Sequence, residues 1–119
     1  AISMSPRERN SLVRSVENRP EGTLVVIAGK IDFEVSNEFQ KDLLDIARRK
    51  PKRLVLELSG VDFMDSSGVA SLVKLLSTAK NQKIDLRLAG LQERIRNVLT
   101  ITHLDKVFDI RDTVDEAWE

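Results

Sequence analysis

The stretch from Arg53 to Ala79 limits the folds open to this chain more than any other. Arg53-Leu54-Val55-Leu56-Glu57-Leu58-Ser59 puts Leu54, Leu56 and Leu58 on one face of a period-2 strand and Arg53 and Glu57 on the other. From Val69 the period changes: Val69, Leu72, Val73, Leu76 and Ala79 share one stripe of an α-helix. Between the two runs lies Val61-Asp62-Phe63-Met64-Asp65-Ser66-Ser67-Gly68. A strand that feeds a helix through such a turn is half of a βαβ unit. Asp65, Ser66, Ser67 and Gly68 therefore fall at a helix N-terminus, where unpaired N–H groups and a partial positive charge favour a carboxylate or a phosphate.

The flanking sequence extends this unit. Leu12, Val13 and Val16 make a short strand, Asn18-Arg19-Pro20-Glu21-Gly22 is a turn signal, and Thr23 to Ala28 is a strong β-run closed by Gly29. The pair reads as an antiparallel hairpin. Phe33, Val35, Phe39, Leu43, Leu44, Ile46 and Ala47 form the apolar side of an amphipathic helix between Phe33 and Lys50, stopped by Pro51. Arg48 to Arg53 is rich in cations that suit the negative end of the helix dipole; without interleaved aromatics it reads as a solvated helix end. Lys83 to Gly90 alternates with Ile84, Leu86 and Leu88 inward, Leu91 to Leu104 is helical, and Val107 to Ile110 is a last strand. Asp112 or Thr113 can cap a final short helix ending at Trp118.

The order β-β-α-β-α-β-α-β-α predicts a single-domain α/β fold. Its sheet is mixed but mostly parallel, because each helical crossover makes the next strand parallel to the last. Strands that alternate apolar with polar place the helices mainly on one face. Residues 1–10 read as a flexible N-terminus, with residues 1–3 an expression scar ahead of Met4, and residues 11–119 as the domain. A length of 119 residues fits one core and not two.

Nineteen basic residues balance nineteen acidic ones, so net charge demands neither nucleic acid nor an anionic membrane as partner. The absence of cysteine removes disulfides, thiolate zinc sites and cysteine nucleophiles. Apolar runs too short to span a bilayer, and no basic-then-apolar leader, point to a cytoplasmic protein.

Asp32 is expected on the loop next to Asp65 and Ser66, at the C-terminal ends of the parallel strands, where open α/β sheets usually carry their sites. A hydrolase would use Ser66 as nucleophile and His103, the only histidine, as base, but the Gly-x-Ser-x-Gly elbow is absent. Asp32, Asp62 and Asp65 lack a specific metal-ligand spacing, and no Gly-x-x-x-x-Gly-Lys loop is present for nucleotide phosphates. No catalytic residue, metal or cofactor is therefore assigned, and the chain reads as a binding module. One cap would be enough to start the helix. Asp-Ser-Ser-Gly offers three, plus a glycine that weakens the first turn yet lets another backbone approach. That excess points to an exposed, recognised serine.

Val61-Asp62-Phe63-Met64-Asp65-Ser66-Ser67-Gly68-Val69 resembles the signature of the STAS domain of bacterial anti-sigma factor antagonists, and Gly29-Lys30-Ile31-Asp32 is similar to that family's Gly-Glu-Leu-Asp. The resemblance implies phosphorylation of Ser66, with Ser67 the second choice, by a serine kinase that is itself the anti-sigma factor. It implies that the unphosphorylated form binds this kinase through Asp32, Asp62, Asp65, Ser66, Ser67 and Gly68 and so frees a sigma factor. A metal-dependent serine phosphatase resets the switch, and neither nucleic acid nor membrane is bound directly. Within the same fold, a subunit of a stressosome-like scaffold or of a membrane-transport complex is the alternative. Lys30 replaces the family's usual acid, and His103 stands where the family often has glycine in a left-handed position after a helix. Phe63 and Met64 are expected in the core, and phosphorylation is expected to change surface charge more than shape.

Overall fold

A hairpin opens the chain because Pro20 and Glu21 turn it back on itself. β1 (Val13–Arg19) and β2 (Gly22–Ile31) pair antiparallel, with Arg19 opposite Gly22. The computed structural model describes residues 12–119; the flexible N-terminus and expression scar expected over residues 1–10 lie outside them. The chain continues through α1 (Ser36–Ala47), β3 (Arg53–Met64), α2 (Ser66–Asn81), β4 (Asp85–Ala89), α3 (Glu93–Ile101), β5 (Asp109–Arg111) and α4 (Val114–Ala117). The five strands lie in the order β1-β2-β3-β4-β5, and every pair after the hairpin is parallel. This is the mixed, mostly parallel α/β sheet that the element order predicts.

The helices cover mainly one face, as the alternation predicts. Leu54, Leu56 and Leu58 of β3 meet Leu43 of α1, Leu72 and Leu75 of α2, and Ile95 and Leu99 of α3, all fully buried in one continuous core. Each such side chain withdraws enough apolar area to contribute about 1.5–3 kcal/mol. The opposite face carries only a small cluster of Leu24, Val55, Ala89 and Ala117, covered by α4 and Trp118. There, polar positions of neighbouring strands form a ladder: Arg53 to Asp85 at 3.0 Å, Asp85 to Arg87 at 3.1 Å, Arg87 to Asp109 at 3.6 Å, Asp109 to Arg111 at 2.7 Å. The same arginines donate to the end of α4, Arg53 to the Trp118 carbonyl at 2.7 Å and Arg87 to that of Ala117 at 3.2 Å. The face with the smaller apolar cluster is thus closed in addition by charge-assisted hydrogen bonds.

Several elements differ in extent from the sequence expectation, the last strand falling at Asp109–Arg111 instead of Val107 to Ile110 and α3 at Glu93–Ile101 within the expected Leu91 to Leu104; β3 and α1 matter most. β3 does not stop at Ser59 but runs to Met64, because β2 extends to Ile31 and pairs with it, Lys30 opposite Phe63 and Ile31 opposite Met64. Irregular register between Val26 and Ala28, and again between Gly29 and Lys30, shifts the inward phase from Leu58 to Val61 and then Met64. The connection from β3 to α2 shrinks to the single residue Asp65. Conversely, α1 begins at Ser36, not Phe33. Asp32 turns the chain first, its carboxylate accepting from Glu34 N at 3.1 Å and its carbonyl from Val35 N at 3.2 Å. Phe33, expected on the buried stripe, is left outside the helix and 79% exposed.

Candidate functional site

Asp65 organises the C-terminal edge of the sheet. It is the N-cap of α2, with extended backbone (φ −96, ψ −173) and a side chain turned back onto the helix start. Oδ1 accepts from Ser67 N at 2.9 Å, Gly68 N at 3.2 Å and the Ser67 hydroxyl at 2.5 Å. Oδ2 accepts from Phe33 N at 3.0 Å, and the Asp65 N–H donates to the Ile31 carbonyl at 3.2 Å. One carboxylate therefore ties α2 to the loop after β2. The Ser67 hydroxyl beside it, with the N–H groups of Gly68, Ser67 and Phe33, holds its pKa below the usual carboxylate value against the opposing effect of desolvation. Asp65 is the cap among the three candidates that the sequence offers.

That division of labour separates the two serines. The half-buried Ser67 spends its hydroxyl on Asp65, and its carbonyl accepts from Ser71 Oγ at 3.1 Å. Ser71 Oγ, buried, also lies 3.2 Å from the Ser36 carbonyl, linking α2 to the start of α1. Ser66 is exposed, and among the described residues its hydroxyl makes no hydrogen bond. Gly68 is buried where no side chain fits: a Cβ would stand 2.7 Å from Met64 Cγ and 2.9 Å from the Ile31 carbonyl oxygen. The close backbone approach anticipated for this glycine is thus to β2.

Asp32 and Asp65 do lie on adjacent loops, with Asp62 exposed on the last stretch of β3. Among the described residues no group of three His, Asp or Glu side chains comes together that could hold a metal ion. His103 sits at the far end of α3, the helix that returns from the C-terminal edge of β4 to the N-terminal edge of the sheet. Topology thus puts Ser66 and His103 at opposite ends, and no hydrogen bond joins them. His103 has φ 62, the left-handed conformation expected at this position. Met64 is buried as expected; Phe63 is instead 38% exposed, with Lys30 Nζ 5.7 Å from its ring centroid. Both aromatics at this edge, Phe33 and Phe63, escaped a reading that assigned them to the core by hydrophobicity alone. The signal for Phe33 was its position directly after Asp32, a residue whose carboxylate commonly turns the backbone two residues on.

The site is an exposed serine beside an aspartate cap at the β3–α2 junction of a mixed, mostly parallel sheet, and the family comparison places this arrangement. The chain belongs to the STAS domain family, whose profile matches residues 14–117. The anti-sigma-B factor antagonist of Bacillus subtilis is 33% identical over 86 residues, covering 72% of this chain and 78% of the relative. An anti-sigma factor antagonist from Mycobacterium paratuberculosis has a crystal structure similar at TM-score 0.79 and 24% identity, covering 87% of each chain. The fold also matches the antagonist SpoIIAA in its unphosphorylated form, TM-score 0.70 at 16% identity over 87% of this chain and 90% of that one. No helix among the described residues is long and apolar enough to cross a membrane.

Proposed function

We propose that this chain is an anti-sigma factor antagonist switched by phosphorylation of Ser66. The observation that carries this reading is the difference between adjacent hydroxyls: Ser67 is committed to Asp65 at 2.5 Å, whereas Ser66 stands exposed and free of capping duty at the start of α2. The unphosphorylated face, Ser66 with Asp32, Asp62, Asp65 and Ser67 around it and Gly68 beneath, docks an anti-sigma serine kinase and so releases a sigma factor. Relatives named as antagonists of anti-sigma factors support the role.

Phosphate on Ser66 adds about −1.5 to −2 charges. It arrives beside a carboxylate whose pKa is held low and which already occupies the N–H groups of Ser67 and Gly68. The helix N-terminus therefore has little left to offer it, and the added charge stays on the docking face. Burying such a charge against a partner costs on the order of 2–5 kcal/mol, roughly 30-fold to several thousand-fold in affinity. A metal-dependent serine phosphatase restores the binding form.

The direct test is incubation with the kinase and ATP followed by mapping of the phosphosite by mass spectrometry. Ser66 is modified in the wild-type chain and in Ser67→Ala, and Ser66→Ala takes up no phosphate while retaining kinase binding. Absence of phosphate from both serines overturns the proposal.

A further inference from the structure

Phe33 exposes 79% of its surface, yet its backbone is fixed on both sides. Its N–H donates to Asp65 Oδ2 at 3.0 Å, its carbonyl accepts from Ser36 Oγ at 3.3 Å, and Asp32 turns the chain around it. An aromatic ring held in water by a rigid loop has a large area to bury and little backbone freedom left to lose on binding. Those are the properties of an anchor residue. Continuity with the switch comes through one side chain: Oδ2 of Asp65 holds Phe33, and Oδ1 holds the turn that presents Ser66. On the neighbouring strand Phe63 is also partly exposed, with Lys30 over its ring. Asp32 and Glu34 flank the ring in the chain, and Asp62 is exposed near the end of the neighbouring β3.

We infer that Phe33 is the affinity anchor for the kinase that reads Ser66, a role that rests on the reading of Ser66 given above. The ring enters an apolar pocket on that kinase, and cations or N–H donors at the rim of the pocket meet Asp32, Glu34 and Asp62. The surface thereby divides its tasks. Phe33 sets how tightly the partner is held, and Ser66 sets whether it is held.

The experiment titrates a purified anti-sigma serine kinase from the same organism against the wild-type chain, Phe33→Ala, Phe33→Trp and Phe63→Ala, with thermal unfolding of each variant as the control for folding. Phe33→Ala is expected to weaken binding about 30-fold or more, Phe33→Trp to keep most of the affinity, and Phe63→Ala to lose less than Phe33→Ala. Unfolding midpoints stay at the wild-type value for both Phe33 variants, because the ring contributes little to the core. Affinity of Phe33→Ala within about threefold of wild type, with Ser66 still phosphorylated, overturns the anchor and leaves the switch standing. Loss of binding in Phe33→Ala with no phosphate on Ser66 or Ser67 of the wild type overturns the switch and keeps the anchor. Self-association of the wild-type chain that Phe33→Ala abolishes, with kinase affinity unchanged, assigns the patch to a second copy and overturns the kinase as its occupant.

Discussion

The two ends of the sheet solve the problem of helix termini in opposite ways. At the N-terminal edge, α1, α2 and α3 each run out into a non-glycine residue in the left-handed region: Lys50 at φ 52, Lys83 at φ 59, His103 at φ 62. The chain closes there mainly with backbone, Ile84 N donating to the Ala79 carbonyl at 2.8 Å and Leu104 N to that of Leu99 at 2.8 Å, with the Thr102 hydroxyl adding bonds to the Val98 and Leu99 carbonyls at 2.9 and 3.2 Å. At the C-terminal edge the start of α2 is closed by a side chain, Asp65 holding it and the β2–α1 loop together, while α1 and α3 begin without a side-chain cap. Backbone closure tolerates almost any side chain that accepts the strain. Side-chain closure depends on particular residues, and it leaves chosen neighbours, Ser66 and Phe33, exposed in fixed positions. The edge proposed to dock the partner is the one where a side chain sets the geometry.

Five substitutions can break or sharpen this contrast. The largest effect is on binding: Ser66→Asp should weaken the kinase complex by roughly 30-fold to several thousand-fold while leaving the unfolding midpoint near that of wild type, read by calorimetric titration and thermal melting. Equal loss from a charge placed at the N-terminal edge, such as Thr102→Asp, would abolish the distinction between the two edges. Next comes Gly68→Val. Its branched side chain collides with the Ile31 backbone and Met64, and overpacking of this kind costs about 1–3 kcal/mol in denaturant unfolding.

His103→Gly tests the other edge and acts in the opposite direction. Glycine removes the left-handed strain, offset by its own entropy in the unfolded chain, for a net gain of about 1 kcal/mol or less. Destabilisation by this variant would mean that the histidine side chain takes part in closure after all. The smallest effect is the pH dependence of the cap. The pKa of Asp65 is lower folded than unfolded, so its contribution is fully present above the unfolded carboxylate value and is lost as pH falls through the folded one. Asp65→Asn should flatten that acid limb of the stability–pH curve, and because the carboxylate is solvent-screened the change is modest.

Legibility in the sequence followed the range of the interactions. The strand Arg53 to Ser59 and the helix after Val69 could be read from period alone, because burial on one side imposes that period. The position of Ser66 at a helix N-terminus followed from the Asp-Ser-Ser-Gly run, and the parallel order of strands from the helices between them. The end of β3 did not, because its last residues are strand only where Lys30 and Ile31 pair with them. Hydrophobicity likewise placed Phe33 and Phe63 inside. Yet Asp32 turns Phe33 out of the helix, and the shifted register turns Phe63 toward Lys30.

Sequence by itself therefore determined the α/β class, the hairpin, the order of elements and the turn that carries the serine, all of which depend on local pattern and turn chemistry. Only the tertiary structure decided which hydroxyl is free. Asp65 can accept from Ser67 and Phe33 at once only when β2 and β3 lie side by side with Gly68 packed against Ile31. The bond from the Ser67 hydroxyl to Asp65 is local, but the same carboxylate is also held by Phe33 N across more than thirty residues of chain, a contact that no pattern within the motif records.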